Sequence, residues 1–173
     1  MGKNTIIFDL DGTLALVEKR VEKATTRKKA NGEDALDWGI FFDGKNIQLD
    51  EPNYPVISMA QMYYREGYKI VIFSGRNDRS YKETKEWLEK YEVPYHMLVM
   101  RPDKFKDDSW PIAVGNPATP DMRYMPDEIL KKAMLDTFVD IDDVFMCVDD
   151  RQKVVDMWRS LGLTCFQVAP GNF

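Results

Sequence analysis

The nonapeptide Thr5-Ile6-Ile7-Phe8-Asp9-Leu10-Asp11-Gly12-Thr13 reads as a strand running into an acidic turn. Thr5 to Phe8 is a short apolar, β-branched run that ends in acids and a glycine, the pattern of a buried strand feeding a tight turn. Asp9 and Asp11 stand two residues apart, so if the extended geometry persists their carboxylates point to the same side of the strand end. Crowded acids raise one another's pKa unless a cation or a proton sits between them. Mg²⁺, which prefers carboxylate and phosphate oxygens, is the natural cation for such a place. Gly12 leaves backbone N–H groups free to approach a phosphate, and Thr13 adds a hydroxyl donor. The plain alternative is a surface turn, since Asp-Gly is a common turn dipeptide.

Beyond this stretch, apolar runs alternate with amphipathic segments. Pro52 and Pro55 open a helix carrying Val56, Met59, Ala60 and Tyr63 at helical spacing, closed by Gly67. Residues 69–74 form a continuous apolar run of the kind buried on both faces, and 78–91 a further helix. A strand over 95–100, a helix from Pro126 to about Phe138, a strand over 144–148, a helix over 152–161 and a strand over 164–168 complete the pattern. The expected fold is α/β: a doubly wound, parallel five-stranded sheet, with ligands bound beyond the carboxyl ends of the strands. Residues 14–50 lose strand character and read as a small cap inserted after the first strand, with a basic run from Lys19 to Lys29 followed by Trp38, Phe41 and Phe42. Residues 101–124, with scattered prolines and Trp110, read as a long loop insertion.

Two further groups fall at the same rim as Asp9. Ser74-Gly75-Arg76 ends the second strand and brings a hydroxyl, a flexible backbone and a fixed cation, a reasonable phosphate clamp. Asp149-Asp150-Arg151 ends the fourth strand, where adjacent acids again call for a cation. Asp127 and Lys131 lie four apart on one face of the helix before it, the spacing of an ordinary helical ion pair, with Lys132 alongside.

The pattern Asp9-x-Asp11-Gly12-Thr13 after an apolar strand resembles the signature of the haloacid dehalogenase superfamily, with Ser74, the third-motif lysine and the acid pair at Asp149-Asp150 at the remaining motif positions. The resemblance implies a phosphatase in which Asp9 is the nucleophile, Asp11 the general acid and base, and Lys131 or Lys132 the neutralising cation. It implies a Mg²⁺ site built from Asp9, Asp11 through its carbonyl, Asp149 and Asp150. Arg20, Ser74-Gly75-Arg76, the Asp127 to Lys131 spacing and the segment from Val148 to Phe173 are similar to the 3′-phosphatase half of bacteriophage polynucleotide kinase-phosphatases. By that likeness Arg20 and Arg76 are expected to contact phosphate or substrate, and Thr13, Ser74, Gly75, Asp127 and Arg151 are the further candidates for that role. Two departures bear on substrate choice: no kinase half precedes Met1, and residues 101–124 are longer than the relative leads one to expect.

The 173 residues suit one domain with a sizeable core. Their formal charge of −5 argues mildly against a protein that coats nucleic acid, without excluding contact with one strand end. His96 is the only histidine, which makes Ser-His-Asp and Cys-His mechanisms and a zinc site improbable. Hydrolysis must therefore come from the carboxylates. Neither a membrane span nor a signal peptide is expected, Cys147 and Cys165 show no metal-ligand spacing, and a reducing cytoplasm is the simplest location. The expected activity is Mg²⁺-dependent removal of 3′-phosphates from nucleic-acid ends or nucleotides. A phosphatase of free nucleoside 5′-monophosphates, stacking the base on Trp38, Phe41 or Trp110, is the runner-up. A non-catalytic module that binds a phosphorylated ligand is the third reading. No oligomeric state is implied.

Overall fold

A computed structural model of the chain describes residues 2–102 and 122–171, the side chain of Arg123 excepted. Most of the 101–124 stretch, including Trp110, lies outside the described residues, as do the last two residues of the C-terminal resemblance.

The chain runs through β1 (Thr5–Phe8), β2 (Ala15–Leu16), α1 (Glu18–Ala24), β3 (Thr25–Lys28), β4 (Asp34–Leu36), α2 (Trp38–Phe41), α3 (Gly44–Ile47) and β5 (Glu51–Pro52). It continues through α4 (Tyr54–Arg65), β6 (Lys69–Asn77), α5 (Tyr81–Lys90), β7 (Met97–Arg101), α6 (Asp127–Phe138), β8 (Val144–Asp149), α7 (Gln152–Ser160) and β9 (Cys165–Gln167). The main sheet has five parallel strands in the order β7-β6-β1-β8-β9, as the alternation of apolar runs and helices predicts.

β1 lies at the centre and is buried on both faces, because successive side chains of a strand point to opposite sides. Ile7 joins Val71, Phe73 and Cys147 under Leu130 and Met134 of α6 and Trp158 of α7. Ile6 and Phe8 join Ile70, Ile72 and Val148 under Val56 and Ala60 of α4 and Trp87 of α5. Helices therefore cover both faces, and the sheet order reverses beside β1. A crevice opens at that reversal, beyond the strands' carboxyl ends.

Residues 14–50 differ from their expected character, for they include strands. β2 and β5 pair antiparallel at the base of the insertion, Ala15 with Pro52 and Leu16 with Glu51. β3 and β4 form a hairpin that turns at Gly32, with φ +83°. These strands escape a reading of periodicity because Thr26, Arg27 and Lys28 are exposed and show no apolar alternation. Val17, Ala24 and Phe41 make a small core of their own. The basic run does not present one face: Arg20 is buried, Lys19 pairs with Glu51, Lys29 with Glu33, and Lys23 donates to Asn46 Oδ1 at 2.6 Å. No helix among the described residues is long and apolar enough to cross a membrane.

Candidate active site

Asp9 follows β1 directly, and its backbone N–H donates to Val148 O (2.9 Å), which ties it to the end of β8 where Asp149 and Asp150 stand. Lys131 reaches the same point from α6. Its ammonium is almost wholly buried and donates to Asp9 Oδ1 and Asp149 Oδ2, both at 2.7 Å. Burial alone would depress this lysine, but Asp149 and Asp9 outweigh it and raise its pKa above the usual range. Lys132 instead pairs with Asp136 at the surface, so Lys131 is the lysine that meets the acids. The spacing argument for Asp127 and Lys131 sets them on one helical face, yet the lysine's bonds go to Asp9 and Asp149.

Thr13 Oγ1 donates to Asp9 Oδ2 at 2.9 Å and stands 3.4 Å from Asp150 Oδ1. Asp149 Oδ1 accepts the backbone N–H groups of Asp150 (2.9 Å) and Arg151 (3.3 Å). Asp150 Oδ2, by contrast, is buried with no hydrogen-bond partner. Burial, with Asp9 close by, pushes Asp150 up to about 9, and burial and Asp9 push Asp149 up to about 6 despite Lys131. Oxygens of Asp9, Asp149 and Asp150 lie within 4.8 Å of one another. An all-carboxylate set with one orphaned buried oxygen fits a hard divalent cation such as Mg²⁺, which would supply the missing charge.

Asp11 is held by different partners. The turn after Asp9 closes with Gly12 at φ +82°, and the Gly12 N–H donates to Ala15 O at 2.8 Å. The Gly12 N–H itself is therefore taken up by the turn and does not face a phosphate. Asp11 Oδ1 accepts from Arg20 Nη2 (2.6 Å) and Arg76 Nε (2.7 Å). The same two guanidiniums also bond Asp50, which accepts Arg20 Nε and Nη2 (both 2.9 Å) and Arg76 Nη2 (2.7 Å). Burial raises Asp11, but the two arginines outweigh it and hold it at about 2, while burial lifts Asp50 to about 6. Two acids sharing one pair of cations titrate apart in this way.

The family likeness makes Arg20 and Arg76 expected phosphate contacts. Their side chains are fully buried and engaged with Asp11 and Asp50, and neither is among the described residues that line the cavity. Ser74, read as a phosphate-binding hydroxyl, is buried too, and its Oγ accepts the Arg76 N–H at 3.1 Å. These three residues sit behind Asp11 and fix it.

Asp127 closes the other side. Arg101 Nη2 donates to Asp127 Oδ1 (2.5 Å) and Arg151 Nη1 to Oδ2 (2.7 Å). Gly75 passes so close that a Cβ there would meet Asp127 Oδ1 at 2.8 Å, which is why a glycine stands between Ser74 and Arg76. Arg101 also donates to Gly75 O (2.9 Å), Met122 O (2.8 Å) and Met125 O (2.6 Å), and so binds β6, β7 and the approach to α6 together. Sequence reasoning missed Arg101 and Asp50. Arg101 could have been found as a cation at the carboxyl end of a strand, whereas Asp50 carried no local signal.

Asp9, Asp11, Lys131 and Asp127 line a cavity of about 860 Å³ whose wall continues into the insertion at Trp38, Phe41 and Phe42. The expected site residues thus fall into three groups at the carboxyl ends of the strands: one around Asp9, one behind Asp11, and one in which Asp127 meets Arg151 and Gly75.

Residues 35–113 and 113–173 match the family described as the polynucleotide kinase PNKP phosphatase domain. Among solved structures, a chain of a Pnkp1/Rnl/Hen1 complex is 30% identical over 99% of this chain and 48% of that one, with a TM-score of 0.69. A chain of the Pnkp1/Rnl/Hen1 RNA repair complex is 31% identical over 98% of this chain and 44% of that one, with a TM-score of 0.68. The present chain therefore spans about half the length of those relatives. A predicted phosphatase from Clostridium acetobutylicum, 13% identical over 96% of this chain and 85% of that one, shares the fold with a TM-score of 0.64.

Proposed function

The chain belongs to the family of the polynucleotide kinase PNKP phosphatase domain, in the haloacid dehalogenase superfamily, and from that premise we propose that it removes 3′-phosphates from nucleic-acid ends as a Mg²⁺-dependent phosphomonoesterase. That it is a phosphatase follows from the family. The observation that carries the mechanism is the setting of Asp9, with one oxygen on the Lys131 ammonium and the other on the Thr13 hydroxyl.

In this reading Asp9 attacks phosphorus, the P–O bond to the sugar breaks, and the leaving oxygen takes a proton from Asp11, leaving an aspartyl-phosphate on Asp9. Water then attacks phosphorus, Asp11 takes its proton, and phosphate departs from the regenerated carboxylate. Lys131 offsets the charge that gathers on Asp9 and the phosphoryl oxygens, and it does so from a buried position where electrostatic interactions are strong. Mg²⁺ on Asp9, Asp149 and Asp150 would supply charge neutralisation between nucleophile and phosphate. Arg20 and Arg76 hold Asp11 as a carboxylate in the free enzyme, ready for its role as base. The incoming phosphate dianion opposes those arginines and favours the protonated form that the first step needs.

The name RNA repair complex attached to one relative supports a nucleic-acid end as the substrate. The test compares turnover on a 3′-phosphorylated oligonucleotide, a 3′-mononucleotide and a 5′-mononucleotide at two salt concentrations. The oligonucleotide should be preferred, with affinity falling by roughly one power of salt per neutralised phosphate. Preference for the 5′-mononucleotide with little salt dependence would replace the end-repair reading with a nucleotidase.

A further inference from the structure

Resting on the phosphatase reading above, we propose that Trp38, backed by Phe42, is a stacking platform for the base of the nucleotide whose phosphate sits at Asp9. Trp38 and Phe42 lie nearly parallel, with ring centroids 5.6 Å apart and planes 17° from each other. Phe41 meets both edge-on, at 5.7 and 5.1 Å. Phe41 belongs to the insertion's core, but Trp38 stays outside that core and is 51% exposed. A large aromatic that is half exposed in a cavity has apolar surface that a flat ligand would cover.

The platform is anchored by its cap and joined through Phe41 and Arg20 to Asp11. Asp37 caps α2 by accepting the Ile40 N–H at 3.1 Å, and Gly39 fits against that cap, where a Cβ would lie 3.1 Å from the same oxygen. Arg20 lies 4.2 Å over the Phe41 ring and donates to Phe41 O, while its Nη2 holds Asp11. Phe41 thus connects the ring stack to the group that would protonate the leaving oxygen. The cavity, about 860 Å³, falls in the range of roughly 300–1,000 Å³ usual for small-ligand sites, and both Asp9 and Trp38 line it. A phosphate at the acids and a planar base on the tryptophan together describe a nucleoside phosphate. Stacking engages the face that all bases share, so the platform should be tolerant of base identity.

The experiment compares kcat/KM on a 3′-phosphorylated oligonucleotide ending in an ordinary nucleotide with kcat/KM on the same strand ending in a 3′-phosphorylated abasic residue. A nucleoside 5′-monophosphate and ribose 5-phosphate form a parallel pair. The intact enzyme should favour the base-bearing member by about tenfold to a hundredfold, mainly through KM. In Trp38→Ala that advantage should fall toward one, and in Trp38→Tyr it should be largely kept. An unchanged advantage in Trp38→Ala, or none in the intact enzyme, overturns the platform. If only the 5′ pair turns over, with a base advantage that depends on Trp38, the 3′-end reading fails and the platform stands. Calorimetric binding of adenosine 3′-monophosphate to Asp9→Asn, with and without Trp38→Ala, gives the same answer without turnover: equal affinities would sink the platform.

Discussion

The guanidinium of Arg20 forks onto Asp50 through two parallel hydrogen bonds, Nε to Oδ1 and Nη2 to Oδ2, each 2.9 Å long. Both side chains are wholly buried, and Arg76 Nη2 donates to the same Oδ2 at 2.7 Å. Asp50 is therefore the partner that lets two arginines lie behind Asp11 without an unpaired charge. Replacing it with alanine should destabilise the fold by about 3–5 kcal/mol, the usual cost of breaking a buried pair. Urea unfolding measures this. Asp50→Asn, which keeps the shape, should lose less stability but still lower kcat, because the arginines would then crowd onto Asp11 alone.

Lys131 and Lys132 are neighbours with different settings, and their variants should differ accordingly. Lys131→Met leaves Asp9 and Asp149 buried without their cation and should lower kcat by about a hundredfold to a thousandfold. Lys132→Met removes an exposed pair with Asp136 and should change stability by no more than about 0.5 kcal/mol, with turnover retained. Steady-state kinetics on one phosphomonoester separates them, and a reversed order would reassign the lysine.

The sheet and its helices were legible because strands buried on two faces are written as unbroken apolar runs, as in β1 and across Ile70, Val71, Ile72 and Phe73 of β6. Asp9, Asp11 and Asp149-Asp150 were legible because they end such runs. Asp50 was not, since its partners lie 30 and 26 residues away and only the folded insertion brings them together. The burial of Arg20 was hidden for a related reason. It stands in a run of lysines and arginines whose composition suggests a solvated face, and no local pattern distinguishes it from Lys19 or Lys23.

The acid cluster predicts how stability depends on pH in the metal-free protein. Asp149 and Asp150 have folded pKa values near 6 and 9, both above the ordinary carboxylate value, so between about pH 4 and pH 9 the folded state binds more protons than the unfolded one. Their contribution is fully present below pH 4 and is lost as pH rises through 6 and on toward 9. Asp11 runs oppositely: held at about 2, it contributes stability above pH 4 that disappears on acidification. In chelator, the melting temperature should therefore fall between pH 6 and pH 9. Mg²⁺ should raise it, and by more at pH 8.5 than at pH 6, because the cation takes the place of the proton. A Mg²⁺ effect equal at both pH values in differential scanning fluorimetry would remove Asp150 from the metal site.

Asp11 is proposed both to give a proton to the leaving oxygen and to take one from water, and leaving groups of different basicity separate the two roles. Asp11→Asn keeps the side chain's size between Arg20 and Arg76 but can neither protonate nor deprotonate. A sugar 3′-oxygen leaves poorly without a proton, so the variant should lose about a hundredfold to ten-thousandfold on a 3′-phosphorylated strand. p-Nitrophenolate needs no proton to depart, so attack by Asp9 on p-nitrophenyl phosphate should still proceed. Hydrolysis of the aspartyl-phosphate would then lack its base and become the slow step. The expected record is a burst of p-nitrophenolate equal to the enzyme present, followed by slow turnover, while Asp9→Asn gives neither phase. Wild-type rates on the 3′-phosphate in Asp11→Asn would remove Asp11 from proton transfer and leave Asp9 as nucleophile.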